Sequence, residues 1–226
     1  METLIIKNDV RQRWYPQPID TYKMGIKIPN DTPENRRLLS NFAYSMQYVE
    51  YLEKQLAELS LSEVLKKMVF KSYIITGMGI IELLLFYCLR STGNWNTTEW
   101  KEFGELSANP KEINGELVKV VTTMYKKVET QDMRMDLDSM IKRAEKKRIL
   151  TIDHSVFPAL KKLRELRNRV HLQSGEGAFD HDYNSIGIDE IQMMRRILYS
   201  VLITPEICSH TATFEFINEC YTKYEP

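Results

Sequence analysis

The stretch from which the fold is best argued is Leu163-Arg164-Glu165-Leu166-Arg167-Asn168-Arg169-Val170-His171-Leu172. On a helix of about 3.6 residues per turn, its apolar residues share one face. These are Leu163, Leu166 and Val170. A neighbouring arc about 100° wide holds its polar residues, which are Arg164, Arg167, Asn168 and His171. One edge of a core-facing helix is therefore predicted to present two guanidinium groups, an amide and an imidazole together.

These side chains are the groups needed to cleave RNA without a metal. Guanidinium groups bind phosphate oxygens through two parallel hydrogen bonds and stay charged at any working pH. The imidazole of His171 can help a 2′-hydroxyl attack the adjacent phosphorus, or protonate the leaving oxygen. Arginine stabilises the charge on the phosphorane, and Asn168 can hydrogen-bond a phosphate, a sugar hydroxyl or the imidazole. The expected product carries a 2′,3′-cyclic phosphate.

The same residues resemble the signature of the HEPN superfamily. That signature is an arginine, usually followed by a polar residue, and a histidine near the end of a helix, with four to six residues between the arginine and the histidine. Arg167-Asn168 has the expected dipeptide, but only three residues separate Arg167 from His171. Six residues separate Arg164 from His171, as the signature requires, but Glu165 follows that arginine. Either arginine therefore matches half of the signature.

The resemblance implies an all-α fold, a HEPN-like helical bundle with an N-terminal extended arm, assembled as a homodimer. Many HEPN members are metal-independent endoribonucleases of toxin–antitoxin, abortive-infection and CRISPR-type defence systems, and others are inactive binding modules. It makes His171 the acid/base, Arg164 or Arg167 the phosphate clamp, and Asn168 the orienting residue. Partners would be RNA and an antitoxin or nucleotidyltransferase protein, although the tyrosine seen two positions after the histidine in modified members is replaced by Gln173.

A purely structural interpretation of the motif stands beside the catalytic one. Arginine and histidine near the C-terminus of a helix interact favourably with the helix dipole, whatever else they do. The function predicted first is a metal-independent endoribonuclease or RNA-binding protein of a defence or toxin–antitoxin system. The alternative is a non-catalytic HEPN-like module that binds a nucleotide or a partner protein.

Composition places the chain among ordinary folded proteins. Of its 226 residues, 43% are hydrophobic and 27% charged, and Lys+Arg and Asp+Glu both number 31. Because the net charge is zero, any RNA binding must come from a local basic patch. The best patch is a basic run predicted to lie on one helix. It consists of Lys142, Arg143, Lys146, Lys147 and Arg148.

Cysteine usage and the absence of nucleotide-binding motifs narrow the chemistry further. Cys88, Cys208 and Cys220 form no C-x-x-C pair, and Cys88 lies in an apolar run where it is expected to be buried. The number and spacing of the cysteines argue against disulfides and a zinc site. They favour a reducing compartment, which is predicted to be the cytoplasm. The N-terminus lacks signal-peptide features. No P-loop or Rossmann motif occurs, so no cofactor is expected.

Two parts of different character are predicted along the chain. Residues 1–32 contain several prolines and are expected to form an extended arm, with a short strand near residues 4–6. Trp14, Tyr15 and Tyr22 would attach this arm to the surface of the second part, a HEPN-like helical domain at residues 33–226.

The first long helices have clear start signals. Thr32-Pro33 predicts a helix that runs to about Leu59, and Ser62 predicts the cap of a second helix that runs to about residue 91. Between Lys71 and Arg90 the only charged residue is Glu82. Because this residue would cost about 3 kcal/mol in a bilayer, a central bundle helix is preferred over a membrane span. A buried Glu82 needs a partner, and a motif arginine is the candidate, which would make Glu82 an orienting residue.

The remaining elements follow from periodicity and turn residues. Residues 92–115 are predicted to be a loop with a short helix, and 111–147 helical with a break near 129–132. The motif helix is placed at about 155–173, and the last helices at about 188–203 and 210–222. Asp180-His181-Asp182 is a row of potential metal ligands, but adjacent loop residues rarely bind one ion, so a solvated loop is expected.

Overall fold

The computed structural model describes residues 14–171 and 177–222. The strand predicted near residues 4–6, and most of the helix stop predicted at 174–177, lie outside these residues. In chain order, the helices and strands are α1 (Ile19–Gly25), α2 (Pro33–Glu58), α3 (Glu63–Ser91), β1 (Thr97–Ser107), β2 (Lys111–Ile113), β3 (Glu116–Val118), β4 (Val121–Asp132), α4 (Leu137–Lys147), α5 (Val156–Arg167), α6 (Asp182–Ser185), α7 (Ile188–Leu202) and α8 (Glu215–Thr222). Two short 3-10 helices occur at Asn168–Val170 and Thr211–Phe214.

Helix α3 lies at the centre of a helical body because it is apolar on nearly every side. It packs against α2, α4, α5 and α7, and its buried side chains run from Phe70 to Leu89. Among the described residues it alone is long and apolar enough to cross a membrane, yet 56% of its apolar window is buried inside the protein. The prediction of a central bundle helix is confirmed. The apolar stretch is therefore only weak support for a membrane span, and a soluble protein is compatible with the fold.

The predicted starts of α2 and α3 are also confirmed. The Thr32 hydroxyl accepts a hydrogen bond from the Asn35 amide at 3.1 Å, and Pro33 occupies the first helical position. The Ser62 hydroxyl accepts a bond from the Leu65 amide at 3.4 Å. These caps satisfy amides that have no partner within the helix, which is why short polar residues mark both boundaries.

The expectation of an all-α fold is wrong because residues 97–132 form a long antiparallel hairpin. β1 pairs with β4 from Thr97 and Asp132 to Ser107 and Val121, with two irregularities in register. The smaller hairpin β2–β3 closes at Asn114 and Gly115, which have φ angles of 54° and 81°. Asn-Gly flanked by alternating hydrophobic residues is a strong hairpin signal. The helical spacing of apolar residues from 117 to 128 was therefore coincidental.

The N-terminal segment also departs from the prediction. Within the described part of residues 1–32, Ile19–Gly25 is helical rather than extended. Tyr22 is fully buried, and its hydroxyl donates a hydrogen bond to Glu50 Oε2 at 2.7 Å. Ile26 forms an isolated antiparallel bridge with Cys208. Residues 19–28 thus contribute to the core rather than forming an arm on its surface.

Candidate functional site

The motif helix is shorter than its sequence predicts. α5 ends at Arg167, and the chain tightens into the 3-10 helix Asn168–Val170 before His171 takes an extended conformation with ψ 110°. Tightening of this kind is common at the end of an α-helix. His171 therefore does not share the helical face of Arg164 and Arg167, as a helix over 155–173 would require. Both Asn168 and His171 are exposed, and the His171 amide donates to the Asn168 carbonyl at 3.3 Å.

Arg167 is held by the one acidic residue of the apolar part of α3. Its Nη2 donates to Glu82 Oε2 at 2.7 Å, with both side chains about one-third exposed. The sequence left open which motif arginine would reach Glu82, and the structure selects Arg167. The pair joins the end of α5 to the middle of α3. Whether Glu82 orients a catalytic group stays a prediction.

The other arginines of the motif also face carboxylates. Arg164 forms an ion pair with Asp138 at the start of α4, and Arg169 forms one with Asp180 in the segment before α6. Arg164 Nε is buried without a hydrogen-bond partner among the described residues. A phosphate would have to displace a carboxylate from each guanidinium group. The three arginines of the motif are thus neutralised by carboxylates of the protein itself.

A surface groove of about 460 Å³ has Glu82 among its lining residues. We call it the Trp95 groove, and it is lined by Arg37, Leu38, Gly79, Glu82, Leu83, Phe86, Trp95, Arg134, Met135 and Met140. Phe86 and Trp95 pack edge to face, with ring centroids 5.1 Å apart. The Trp95 indole is fixed by its N–H, which donates to the Met133 carbonyl at 3.0 Å.

Two guanidinium groups in this groove are available for a ligand. Arg134 is exposed and makes no ion pair with any residue in the described ranges 14–171 and 177–222. Arg37 is 68% exposed, and its only ion pair there is a long one, 3.9 Å from Glu34. Because Glu82 is neutralised by Arg167, the charge of the groove is net positive. Sequence analysis missed these two arginines, since neither belongs to a motif.

The predicted basic run lies on α4 and its C-cap. Lys142 is paired with Asp138 at 2.5 Å, and Arg143 Nε donates to the Asn94 carbonyl at 2.5 Å. Lys146, Lys147 and Arg148 are exposed. Arg148 has φ 50° and ends the helix, where its amide donates to the carbonyls of Ala144 and Glu145. Three of the five residues are thus exposed to solvent, while Lys142 and Arg143 contact other parts of the protein.

The Asp180-His181-Asp182 row is occupied by cation pairing rather than arranged for a metal. Asp180 contacts Arg169, and Asp182 accepts a hydrogen bond from Lys71 Nζ at 2.6 Å. No group of three or more potential metal ligands occurs within residues 14–171 and 177–222. The row therefore attaches α6 and the segment before it to α3 and to the motif.

Comparison with known proteins leaves the family undetermined. No family model, no curated protein and no solved structure matches the chain. The HEPN resemblance consequently depends on the residues of the motif and its flanks alone. It stays a prediction.

Proposed function

We propose that the chain is a HEPN-like RNA-binding protein of a defence or toxin–antitoxin type system, and that the Trp95 groove binds single-stranded RNA. The proposal is supported by one observation: Arg37 and Arg134 line the same groove as the Phe86–Trp95 pair. Proteins bind single strands by stacking bases on aromatic rings and by pairing phosphates with basic side chains. The groove offers both, next to the motif arginine Arg167.

The salt dependence of binding tests the phosphate contacts. We expect Arg37→Gln with Arg134→Gln to weaken binding of a labelled single-stranded RNA. The slope of log affinity against log salt should then become shallower by about 1.4, because each phosphate contact contributes about 0.7. Arg36→Gln is the matched control, since Arg36 is an exposed neighbour on α2 that does not line the groove. Equal effects of the control and the groove variants would contradict the proposal, as would absence of binding by the wild type.

Occlusion of the groove is a second test that leaves every charge in place. A Cβ atom added at Gly79 meets nothing within 4 Å, so Gly79→Phe directs a ring into the groove without a backbone clash. We expect RNA affinity to fall at least tenfold, about 1.4 kcal/mol, while Gly79→Ala binds like the wild type. Fluorescence anisotropy measures both. Unchanged affinity in the Phe variant would exclude the groove as the site.

RNA cleavage is a second candidate function, favoured by one observation. His171 is exposed four positions after Arg167, and the Asn168 carbonyl bonds its amide. An exposed imidazole near neutral pH can act as an acid or a base. We expect cleavage in EDTA to yield 2′,3′-cyclic phosphate ends and to be lost in His171→Ala. His154→Ala is the control, because His154 is 81% exposed and lies before the motif helix. RNA binding without cleavage would leave the non-catalytic alternative.

A further inference from the structure

Residues 177–185 lie against the motif and α3 without entering the core. This segment, which we call the acidic latch, contains two aspartates and no lysine, arginine or glutamate. None of its residues is buried, and Phe179 and Tyr183 are 83% and 43% exposed. The next residue, Ile186, is 1% exposed and attaches the end of the latch to the core. Burial of apolar surface therefore contributes little to holding the latch itself in place.

Two ion pairs hold the latch against the helical body. Arg169 pairs with Asp180, and Lys71 Nζ donates to Asp182 Oδ2 at 2.6 Å. The Arg169 and Lys71 side chains are only 17% and 10% exposed, so the aspartates neutralise cations that are largely withdrawn from water. Because consecutive residues advance by at most about 3.6 Å, carboxylates two residues apart hold their two cations on one surface.

This surface has hydrogen-bond donors beyond those that the carboxylates use. Lys67 lies four residues before Lys71 on α3, so the two side chains are neighbours. Lys67 Nζ donates to the Tyr183 carbonyl and lies 4.3 Å from the centroid of the Tyr183 ring. Arg169 Nη1 is buried and has no hydrogen-bond partner among the described residues. A buried donor without an acceptor costs free energy. The latch therefore satisfies this cation cluster, which consists of Lys67, Lys71 and Arg169, only in part.

We propose that the cation cluster is a binding site for a chain of phosphates, and that the acidic latch occupies it in competition with that ligand. Guanidinium and ammonium groups bind carboxylate and phosphate oxygens through the same charge-assisted hydrogen bonds, so each latch aspartate takes the place of a phosphate. A phosphate chain offers oxygens to all three cations and displaces the latch. None of the three cations lines the Trp95 groove. Only the identity of the natural ligand as RNA rests on the proposed function, since inorganic polyphosphate shares the same chemistry.

Binding of inorganic tripolyphosphate to the full chain tests the competition without RNA. We expect Asp180→Asn with Asp182→Asn, the latch variant, to bind it at least about tenfold more tightly than the wild type in calorimetric titrations at low salt. One competing hydrogen bond between charged groups is worth about that factor or more. Adding Lys67→Gln to the latch variant should reverse part of the gain. Asp20→Asn with Asp189→Asn is the matched control, because it removes two charges from exposed residues in the first turns of α1 and α7.

The titrations decide between competition and a general effect of charge. Tighter binding by the latch variant than by the wild type and the control, reduced again by Lys67→Gln, supports the proposal. Equal affinities of the wild type and the latch variant overturn it, and so does an equal gain in the control.

Hydrogen exchange of the wild type is an independent readout that requires no substitution. The amides of Asn184 and Ser185 donate to the His181 carbonyl within α6. Because a single helical turn is marginal without packing, saturating tripolyphosphate should accelerate exchange of the latch amides as it displaces the segment. Unchanged or slower exchange there, with tripolyphosphate bound, would overturn the proposal.

Titration of the same variants with single-stranded RNA separates this proposal from the proposed function. If the latch variant gains affinity for tripolyphosphate but no variant binds RNA, the cation cluster stands as a site for inorganic polyphosphate and the proposed function fails. If the wild type binds RNA but the latch substitutions leave its affinity for tripolyphosphate unchanged, the Trp95 groove stands and the latch proposal fails. Gains for both ligands support RNA as the ligand of the cluster.

Discussion

The buried ion pair between α2 and α7 offers a stringent test of the packing. Among the described residues, Arg195 is the largest fully buried side chain, and it donates two hydrogen bonds to Glu53, Nε to Oε1 at 2.8 Å and Nη2 to Oε2 at 2.5 Å. The two side chains are 2% and 6% exposed. Burial of both groups costs solvation free energy, which their pairing offsets. Removal of one partner leaves the other charge buried without it.

We expect Glu53→Leu to lower the free energy of unfolding by about 3–5 kcal/mol, because arginine cannot lose its charge inside the protein. One side-chain acceptor that the variant keeps, Gln192 Oε1, lies 3.3 Å from Arg195 Nη1 and bears no charge. Arg195→Met should also destabilise the fold, because it leaves the Glu53 carboxylate buried without its guanidinium partner. The double variant Glu53→Leu/Arg195→Met should lie within about 1–2 kcal/mol of the wild type, because it removes both charges at once.

Urea unfolding followed by circular dichroism near neutral pH measures all three variants. Glu58→Leu is the matched control, because Glu58 pairs with Lys54 at 2.6 Å on the same helix but is 52% exposed. Its removal should cost no more than about 0.5 kcal/mol. The reasoning would be refuted if the losses in unfolding free energy of the two single variants simply added in the double variant. It would also be refuted if Glu53→Leu lowered the unfolding free energy by less than about 1 kcal/mol.

Three further predictions concern glycine packing and buried titratable groups. Gly77→Ala should destabilise the fold by about 1–2 kcal/mol, because the new Cβ would lie 2.8 Å from Met194 Cε in the core. Gly79→Ala should stabilise the fold by about 0.5–1 kcal/mol, because its Cβ meets nothing within 4 Å and alanine favours a helix. Thermal melts of the two variants compare these effects. Burial and a hydrogen bond to Glu215 raise the pKa of Tyr199 to about 12, so its stabilising contribution, complete below about pH 10, should disappear as pH rises through 12. Urea titrations across this range should therefore show a shallower loss in Tyr199→Phe. Burial raises the pKa of Cys88 to about 12, so its thiol should resist alkylation at pH 8 until the protein is unfolded.

The hairpin shows where sequence reasoning failed and why. The apolar residues between 117 and 128 fit a helical spacing, yet the Asn114-Gly115 turn was the stronger local signal. Periodicity assumes that an apolar face is buried, and the β1–β4 hairpin exposes its apolar residues instead. The spacing of apolar residues therefore cannot predict a hairpin whose apolar residues are not buried. The shorter motif helix has a related cause, because the end of a helix depends on contacts that follow it.

The sequence by itself determined the elements whose signals are local. Thr32 and Ser62 fix helix starts because the hydroxyl of each accepts a hydrogen bond from the backbone amide three residues later. The all-round apolar composition of α3 dictates a central position. Only the tertiary structure decided which distant charges meet. Glu53 and Arg195 are 142 residues apart, and Glu82 and Arg167 are 85 apart. Such pairs, like the position of Arg134 in the Trp95 groove, depend on how the helices pack. Short-range sequence patterns do not contain that information.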